Sequence, residues 1–179
     1  ADWPPLLLVL DANVQLTNAQ GVTRSLPLAE FYLGYKETAL AADEYIAAID
    51  IDADADFEGL RAYKISKRED DDISSTMGAF AVSLRDGAIE RIRIAFGGVA
   101  ATPVRLIDVE QRLQGKPLNE ATIALGTYAL TRALDPISDV RASRDYRLAV
   151  SAQLLRKGLL AHLPEERFEA HTLTELLDQ

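Results

Sequence analysis

The stretch Gly78–Gly98, GAFAVSLRDGAIERIRIAFGG, decides the fold class. Phe80, Val82 and Leu84 alternate with small or polar residues, the period-2 pattern of a strand with one buried face. Asp86-Gly87 interrupts the pattern. Both central residues of a type I′ turn need positive φ, so this dipeptide predicts a tight hairpin. On the return run Ile92, Ile94 and Phe96 share one side, and Arg91 and Arg93 take the other. The pair reads as antiparallel sheet with one dry face and one wet face.

Helices follow the hairpin. Thr102 is read as a cap, Pro103 as a first helical residue, and Gly115 as a stop after Leu113. Asn119 opens a second helix with Ile123, Thr127, Leu130 and Leu134 on one stripe, ended by Pro136. A third runs from about Asp145 to Leu163, with Leu148, Ala152, Leu155, Leu159 and Leu163 on one face and Pro164 beyond. Upstream, Pro4 and Pro5 open a short apolar helix, because first-turn residues need no N–H partner. The segment NVQLTNAQGVTRSLPL reads as a hairpin around Asn18–Gly21, LAEFYLGYKETALAADE as a short helix and an irregular connection, and EYIAAIDI and LRAYKIS as further strands. Strands first and helices last predict an α+β fold with antiparallel sheets rather than alternating βα units. The expected division is residues 1–66, residues 67–163 and a charged tail, residues 164–179.

Composition narrows the function classes. The chain has 179 residues, is 48% hydrophobic and 26% charged, and carries a net charge of −9. That acidity argues against nucleic acid, whose phosphates favour a basic face. No apolar run approaches the ~18 residues of a membrane span. There is no cysteine, so the chain supplies no disulfide, thiolate zinc site or iron–sulfur cluster of its own. A cytoplasmic protein fits these features.

Several patterns invite chemical readings. Asp50, Asp52, Asp54 and Asp56 alternate like a calcium loop, but an EF-hand needs Gly at position six and Glu at twelve. Counted from Asp52 those positions hold Phe57 and Tyr63, and from Asp50 they hold Ala55 and Arg61, so a solvated loop is the better reading. His162 and His171 have no third ligand nearby. Gly97-Gly98, between a strand and the following helical region, serves equally well as a phosphate cradle or a tight turn. Neither G-x-x-x-x-G-K-[ST] nor G-x-G-x-x-G occurs. No residue is assigned a catalytic or metal-binding role. The remaining pattern is YKISKREDDDIS, Tyr63–Ser74, where Lys67 and Arg68 run into four acids, Glu69 to Asp72. Packing like charges is unfavourable. The acids can splay apart, pair with Lys67 and Arg68, or face a ligand, and charge alone does not choose among these.

Four segments carry a family resemblance. YKISKREDDDIS resembles the Y-K-x-S-K-R-x-D-D-D-I-S string of the FAD-binding part of bacterial xanthine dehydrogenases. FGGVAATPVR, PISDVRASRDYRLAVSAQLLRK and LPLAEFYLGYKETALAADEYI are similar to three further segments of that family, in the same order. The resemblance implies the C-terminal portion of a small subunit that carries FAD and iron–sulfur centres. Its fold would be part of an FAD-binding subdomain followed by a domain like the CO dehydrogenase flavoprotein C-terminal domain, a three-stranded antiparallel sheet with a helical bundle. Position by position it implies flavin contacts at Asp2, Ile46 and Lys64, and a loop of Asp71, Asp72 and Ile73 beside the isoalloxazine ring. Tyr35 and Lys36 would lie toward the NAD+ side. The acids would then line a cofactor-facing loop.

The resemblance also implies partners. These are upstream FAD and [2Fe–2S] domains, a large subunit with a molybdenum–pterin (molybdopterin) cofactor, and NAD+ as electron acceptor. The FAD pyrophosphate loop would lie upstream, so this length of chain by itself is expected to hold FAD weakly or not at all. Two other readings stand beside it. One is the flavoprotein subunit of another molybdenum hydroxylase, of CO dehydrogenase or aldehyde oxidase type. The other is a docking module without flavin.

Overall fold

The computed structural model describes residues 2–52, 59–68 and 72–163. Glu69, Asp70 and Asp71, Asp54 and Asp56 of the alternating Asp run, and the tail with His171 lie outside the described residues.

Helix α1 (Trp3–Val9) begins with Pro4 and Pro5 in its first turn, as expected, and buries Leu7, Leu8 and Val9. Strands β1 (Asn13–Asn18) and β2 (Thr23–Pro27) form a hairpin. Its turn is closed by the Asn18 side chain, which accepts from the Gln20 and Val22 N–H groups at 3.1 and 2.9 Å. A short helix α2 (Leu28–Phe31) and a small hairpin of β3 (Tyr32–Gly34) and β4 (Glu37–Thr38) lead to β5 (Glu44–Asp50). The first sheet has the antiparallel order β2-β1-β5.

The second sheet is built on the expected hairpin. Strands β7 (Thr76–Arg85) and β8 (Ala88–Gly97) turn at Asp86 and Gly87, whose φ values of 53° and 76° are those a type I′ turn requires. Strand β6 (Leu60–Ile65), read from sequence as the last strand of the first part, pairs along β7. Beyond β8 a two-residue strand β9 (Val104–Arg105) completes the order β6-β7-β8-β9, so the expected three-stranded sheet has a fourth member.

Strand β9 corrects the reading of Thr102 and Pro103 as a helix start. Val104 and Arg105 return to pair with Phe96 and Ala95, and helix α3 (Ile107–Leu113) begins only after them. The cause is tertiary. Buried Glu110 accepts from the Ile94 N–H at 2.7 Å and from Arg105 Nε at 2.9 Å, which holds Arg105 against the sheet edge. Arg105 also pairs with Asp11.

Helix α5 (Arg144–Leu160) packs on β7 and α3 on β8, and α4 (Glu120–Ala133) packs against both of these helices. Asn119 caps α4 through the Thr122 N–H, as read, and Ser143 caps α5 through the Tyr146 N–H. Phe80, Ile92, Ile94 and Phe96 meet Leu155 and Leu159 in one core. Of the α4 stripe, Ile123, Leu130 and Leu134 are buried, whereas Thr127 is partly exposed. The face expected to be wet is dry at one end. Ala79 and Ala95 pair in register there, and their small side chains let α1 pack onto them through Leu7, Leu8 and Val9. Toward the hairpin turn this face carries charge. There Arg93 pairs with Asp11 at 2.5 Å and donates to the Val9 carbonyl. The first residues of α1 are thereby brought beside the end of β6 and the start of β7.

Candidate functional site

Three residues from distant parts of the chain meet at that junction. Asp2 precedes α1, Lys64 lies near the end of β6, and Ser74 stands just before β7. The Ser74 hydroxyl donates to Asp2 Oδ1 at 2.6 Å, and Lys64 Nζ lies 3.0 Å from Asp2 Oδ2. Ser74 is buried at 5% exposure, whereas the Asp2 and Lys64 side chains are each 37% exposed. The result is an ion pair open to solvent on one side and backed by a buried hydroxyl. Burial acts against the Asp2 carboxylate, but the Ser74 hydroxyl and the Lys64 ammonium outweigh it. Together they hold the carboxyl below its ordinary value.

Strand register makes this meeting possible. Lys64 lies opposite Met77 and Ile65 opposite Thr76. The Ser75 N–H donates to the Ile65 carbonyl at 2.7 Å and extends the pairing by one step. Behind this step lies Arg147, 3% exposed on α5. Its Nη1 donates to the Ser75 carbonyl at 2.9 Å and also to the Gly98 carbonyl, and its Nη2 donates to Asp139 at 2.7 Å. Gly98 has φ +80°, and a Cβ there would lie 2.7 Å from the Ser75 carbonyl oxygen. The Gly97-Gly98 pair is thus a tight turn packed on Ser75.

The acidic loop is organised by Asp72. Its carboxylate accepts from the Lys67, Arg68 and Ile73 N–H groups at 3.1, 3.0 and 3.0 Å, and Arg68 lies 3.5 Å away. Burial opposes the charged form, yet these backbone bonds and the Arg68 charge leave the carboxyl below its usual value. Lys67 Nζ donates to the Val140 carbonyl at 2.9 Å, which fastens the loop to the segment before α5. Asp72 therefore directs its charge to its own loop. Ile73 is exposed beside it.

The other expected site residues are elsewhere. Ile46 is exposed on β5 in the first sheet, and Tyr35 and Lys36 form the β3–β4 turn, with Lys36 Nζ 5.6 Å from the Tyr35 ring centroid. Among the described residues no hydrogen bond or ion pair ties them to the Asp2 cluster. Asp71 lies outside the described residues. A cleft of about 410 Å³ between β5 and the charged end of the second sheet is lined by Asp11, Asp50, Arg91 and Arg93, among others, and includes none of the expected residues. Among the described residues no cluster of His, Asp or Glu is placed to hold a metal. The His162 ring spans the Gly158 and Gly59 carbonyls at 2.8 and 3.0 Å, a structural position.

Sequence reasoning missed Ser74 and Arg147, although both stand in quoted motifs. Arg147 carried a signal. With Ser151, Leu154, Leu155 and Gly158 it forms the buried stripe of α5, one step from the stripe read through Leu148 and Ala152. A charge on a buried stripe marks a residue held by specific partners.

Comparison with known proteins assigns both parts of the chain. The FAD binding domain in molybdopterin dehydrogenase matches residues 1–52, and the CO dehydrogenase flavoprotein C-terminal domain matches residues 61–162. The chain belongs to the molybdopterin dehydrogenase flavoprotein family. It is 30% identical to the xanthine dehydrogenase FAD-binding subunit of Escherichia coli O157:H7 over 158 residues, 88% of this chain and 54% of that one. It is also 30% identical to the glyceraldehyde dehydrogenase medium chain of Sulfolobus acidocaldarius, over 88% of this chain and 55% of that one. Quinoline 2-oxidoreductase from Pseudomonas putida 86 superposes with a TM-score of 0.80 at 27% identity, covering 90% of this chain and 55% of the matched chain.

The chain thus spans about half the length of the relatives it matches. Those relatives are an FAD-binding subunit and a medium chain, which corrects the expected label of a small, iron–sulfur subunit. The α+β fold expectation agrees with the structural match. Among the described residues no helix is long and apolar enough to cross a membrane.

Proposed function

We propose that this chain forms the isoalloxazine-side wall of the FAD site in the flavoprotein subunit of a molybdenum hydroxylase. The carrying observation is the Asp2–Lys64–Ser74 cluster, because it joins the two family-matched parts across their junction. The donor set suits a flavin. The pyrimidine edge of an isoalloxazine carries carbonyl and ring-nitrogen acceptors beside one N–H, and the cluster offers an ammonium donor and a carboxylate acceptor side by side. Exposed Trp3 and Ile73, next to Asp2 and Ser74 in sequence, add apolar surface of the kind a ring system covers. When bound, FAD supplies hydride and electron transfer. In this reading Lys64 and Asp2 orient the ring edge, and the exposed apolar side chains exclude water from its face. Ile46, Tyr35 and Lys36, with the 71–73 loop, belong to the same reading as outer contacts.

In its finer form the reading is a xanthine dehydrogenase. Electrons from purine hydroxylation at a molybdenum–pterin subunit would pass through [2Fe–2S] centres and FAD to NAD+, in the cytoplasm. The REDDDIS string and the similarity to the Escherichia coli FAD-binding subunit support it. A glyceraldehyde dehydrogenase medium chain at the same identity keeps other substrates in play.

The test is FAD affinity in the assembled enzyme. A hydrogen bond to a charged group is worth ~1.5–3 kcal/mol, so Asp2→Asn or Lys64→Met should weaken FAD retention by about tenfold or more. Wild-type retention in both variants would refute the flavin reading. NAD+ reduction with xanthine, assayed beside glyceraldehyde and carbon monoxide, decides the finer one.

A further inference from the structure

We infer that Ser74 is a positioning residue for the Asp2 carboxylate, and that Arg147 holds Ser74 in place from the buried side. The inference rests on the flavin reading only for its purpose, and its geometry stands apart. Asp2 has two oxygens. Lys64 takes one, but a part-exposed ion pair on a long flexible stem is weak and mobile, and does not fix the carboxylate plane. The second oxygen is taken by a buried hydroxyl at 2.6 Å, 72 residues away in sequence. A hydroxyl fixes direction only if its backbone is fixed, and here both neighbours are pinned. On one side the Ile73 N–H donates to Asp72 at 3.0 Å. On the other, Ser75 uses its N–H on the Ile65 carbonyl and its carbonyl on Arg147.

The guanidinium is the rigid member of this set. It is buried and planar, and it binds Ser75, Gly98 and Asp139 at once. Asp139 is itself held by the Arg141 and Ala142 N–H groups at 2.8 and 3.1 Å. Helix α5 therefore reaches the Asp2 carboxylate through Arg147, the Ser75 backbone and the Ser74 hydroxyl.

The experiment is a carbon-detected NMR titration of the Asp2 side-chain carboxyl in the 179-residue chain. Removing the hydroxyl in Ser74→Ala takes away a donor that favours the charged form, so the Asp2 midpoint should move upward, and Ser74→Thr should return it toward wild type. Glu44, remote in the first sheet, should stay where it is in all variants. Arg147→Lys keeps the charge but loses the fork, and should shift Asp2 in the same direction as Ser74→Ala. Should Arg147→Lys not fold, Asp139→Asn loosens the same guanidinium and should give a smaller shift of the same sign. An Asp2 midpoint unchanged in Ser74→Ala overturns the role of Ser74. A shift in Ser74→Ala, with none in Arg147→Lys or, failing that, Asp139→Asn, overturns the role of Arg147. FAD retention in the assembled enzyme separates this from the flavin reading. If Asp2 shifts as expected while Asp2→Asn and Lys64→Met both retain FAD like wild type, the positioning stands and the flavin reading fails.

Discussion

Gly158→Ala places two familiar effects in opposition, and the structure decides between them. Gly158 lies inside α5, where alanine is favoured over glycine by ~1 kcal/mol. From the helix alone the variant should be more stable. A Cβ at this position, however, would lie 2.6 Å from Phe80 Cδ2 and 2.8 Å from Cγ. Ordinary contact begins at 3.4 Å, so the ring would have to retreat by about 0.8 Å. It has nowhere to go. Phe80 is 0% exposed, Phe96 meets it edge-on at 5.6 Å between centroids, and Tyr63 lies at 6.2 Å. Overpacking of this kind costs ~1–3 kcal/mol, and confinement on two sides puts the cost at the upper end. The net expectation is a loss of about 2 kcal/mol, or a Tm lower by roughly 4–8 °C in a chain of this size. Thermal unfolding followed by circular dichroism reads this directly. In a Phe80→Leu background the space opens, and the same Gly158→Ala change should stabilise by up to ~1 kcal/mol. A single variant that melts at or above wild type, or a double variant with no change of sign, would show that the Phe80 contact does not govern this position.

Two further perturbations test other parts of the structure. Hydrogen bonds from Arg24, helped by the Ala41 N–H, draw the Glu44 carboxyl from 4.5 down to about 2. A depressed folded value means stability that is present above 4.5 and lost as pH falls toward 2, so the Tm difference between wild type and Glu44→Gln should close across that window. A difference that is flat with pH would refute the pairing. In Asp72→Ala the Lys67, Arg68 and Ile73 amides lose their common acceptor, and their hydrogen exchange should quicken while β7 and β8 keep theirs. Unchanged protection at those three amides would mean the loop is held by something other than Asp72.

The acidic stretch shows where sequence reading stopped. Lys67, Arg68 and the acids Glu69 to Asp72 were legible as a charge conflict with several possible resolutions. The structure resolves it for Asp72, which serves the backbone of its own loop, while Lys67 reaches the Val140 carbonyl 73 residues away. The first half of that answer is local, and an Asp that follows two N–H donors at close range suggests it. The second half is not, because no pattern near Lys67 names Val140. Likewise Asp2 and Lys64 were paired with one ligand by resemblance, yet the direct bond between them, and the hydroxyl of Ser74 behind it, became visible only when α1 was seen against β6 and β7.

What the sequence determined by itself is what a few neighbouring residues decide. Asp86-Gly87 sets the β7–β8 turn because its positive φ values are a property of those two residues. Asn119 caps α4, and Pro4 and Pro5 open α1, because a cap or a missing N–H acts within one helical turn. Tertiary structure decided whatever depends on a competing long-range partner. Pro103 could have started a helix, but Val104 and Arg105 pair with β8 and are held there by Glu110. Ala79 and Ala95 alternate like the wet face of a strand, yet they are buried because α1 comes to rest on them. Arg147 sits on a stripe that composition would leave apolar, and it is buried because two carbonyls and Asp139 meet it there. Local rules act through a handful of torsions close in sequence. Burial and pairing across about 70 residues depend on where whole strands and helices come to rest, which no short window of sequence contains.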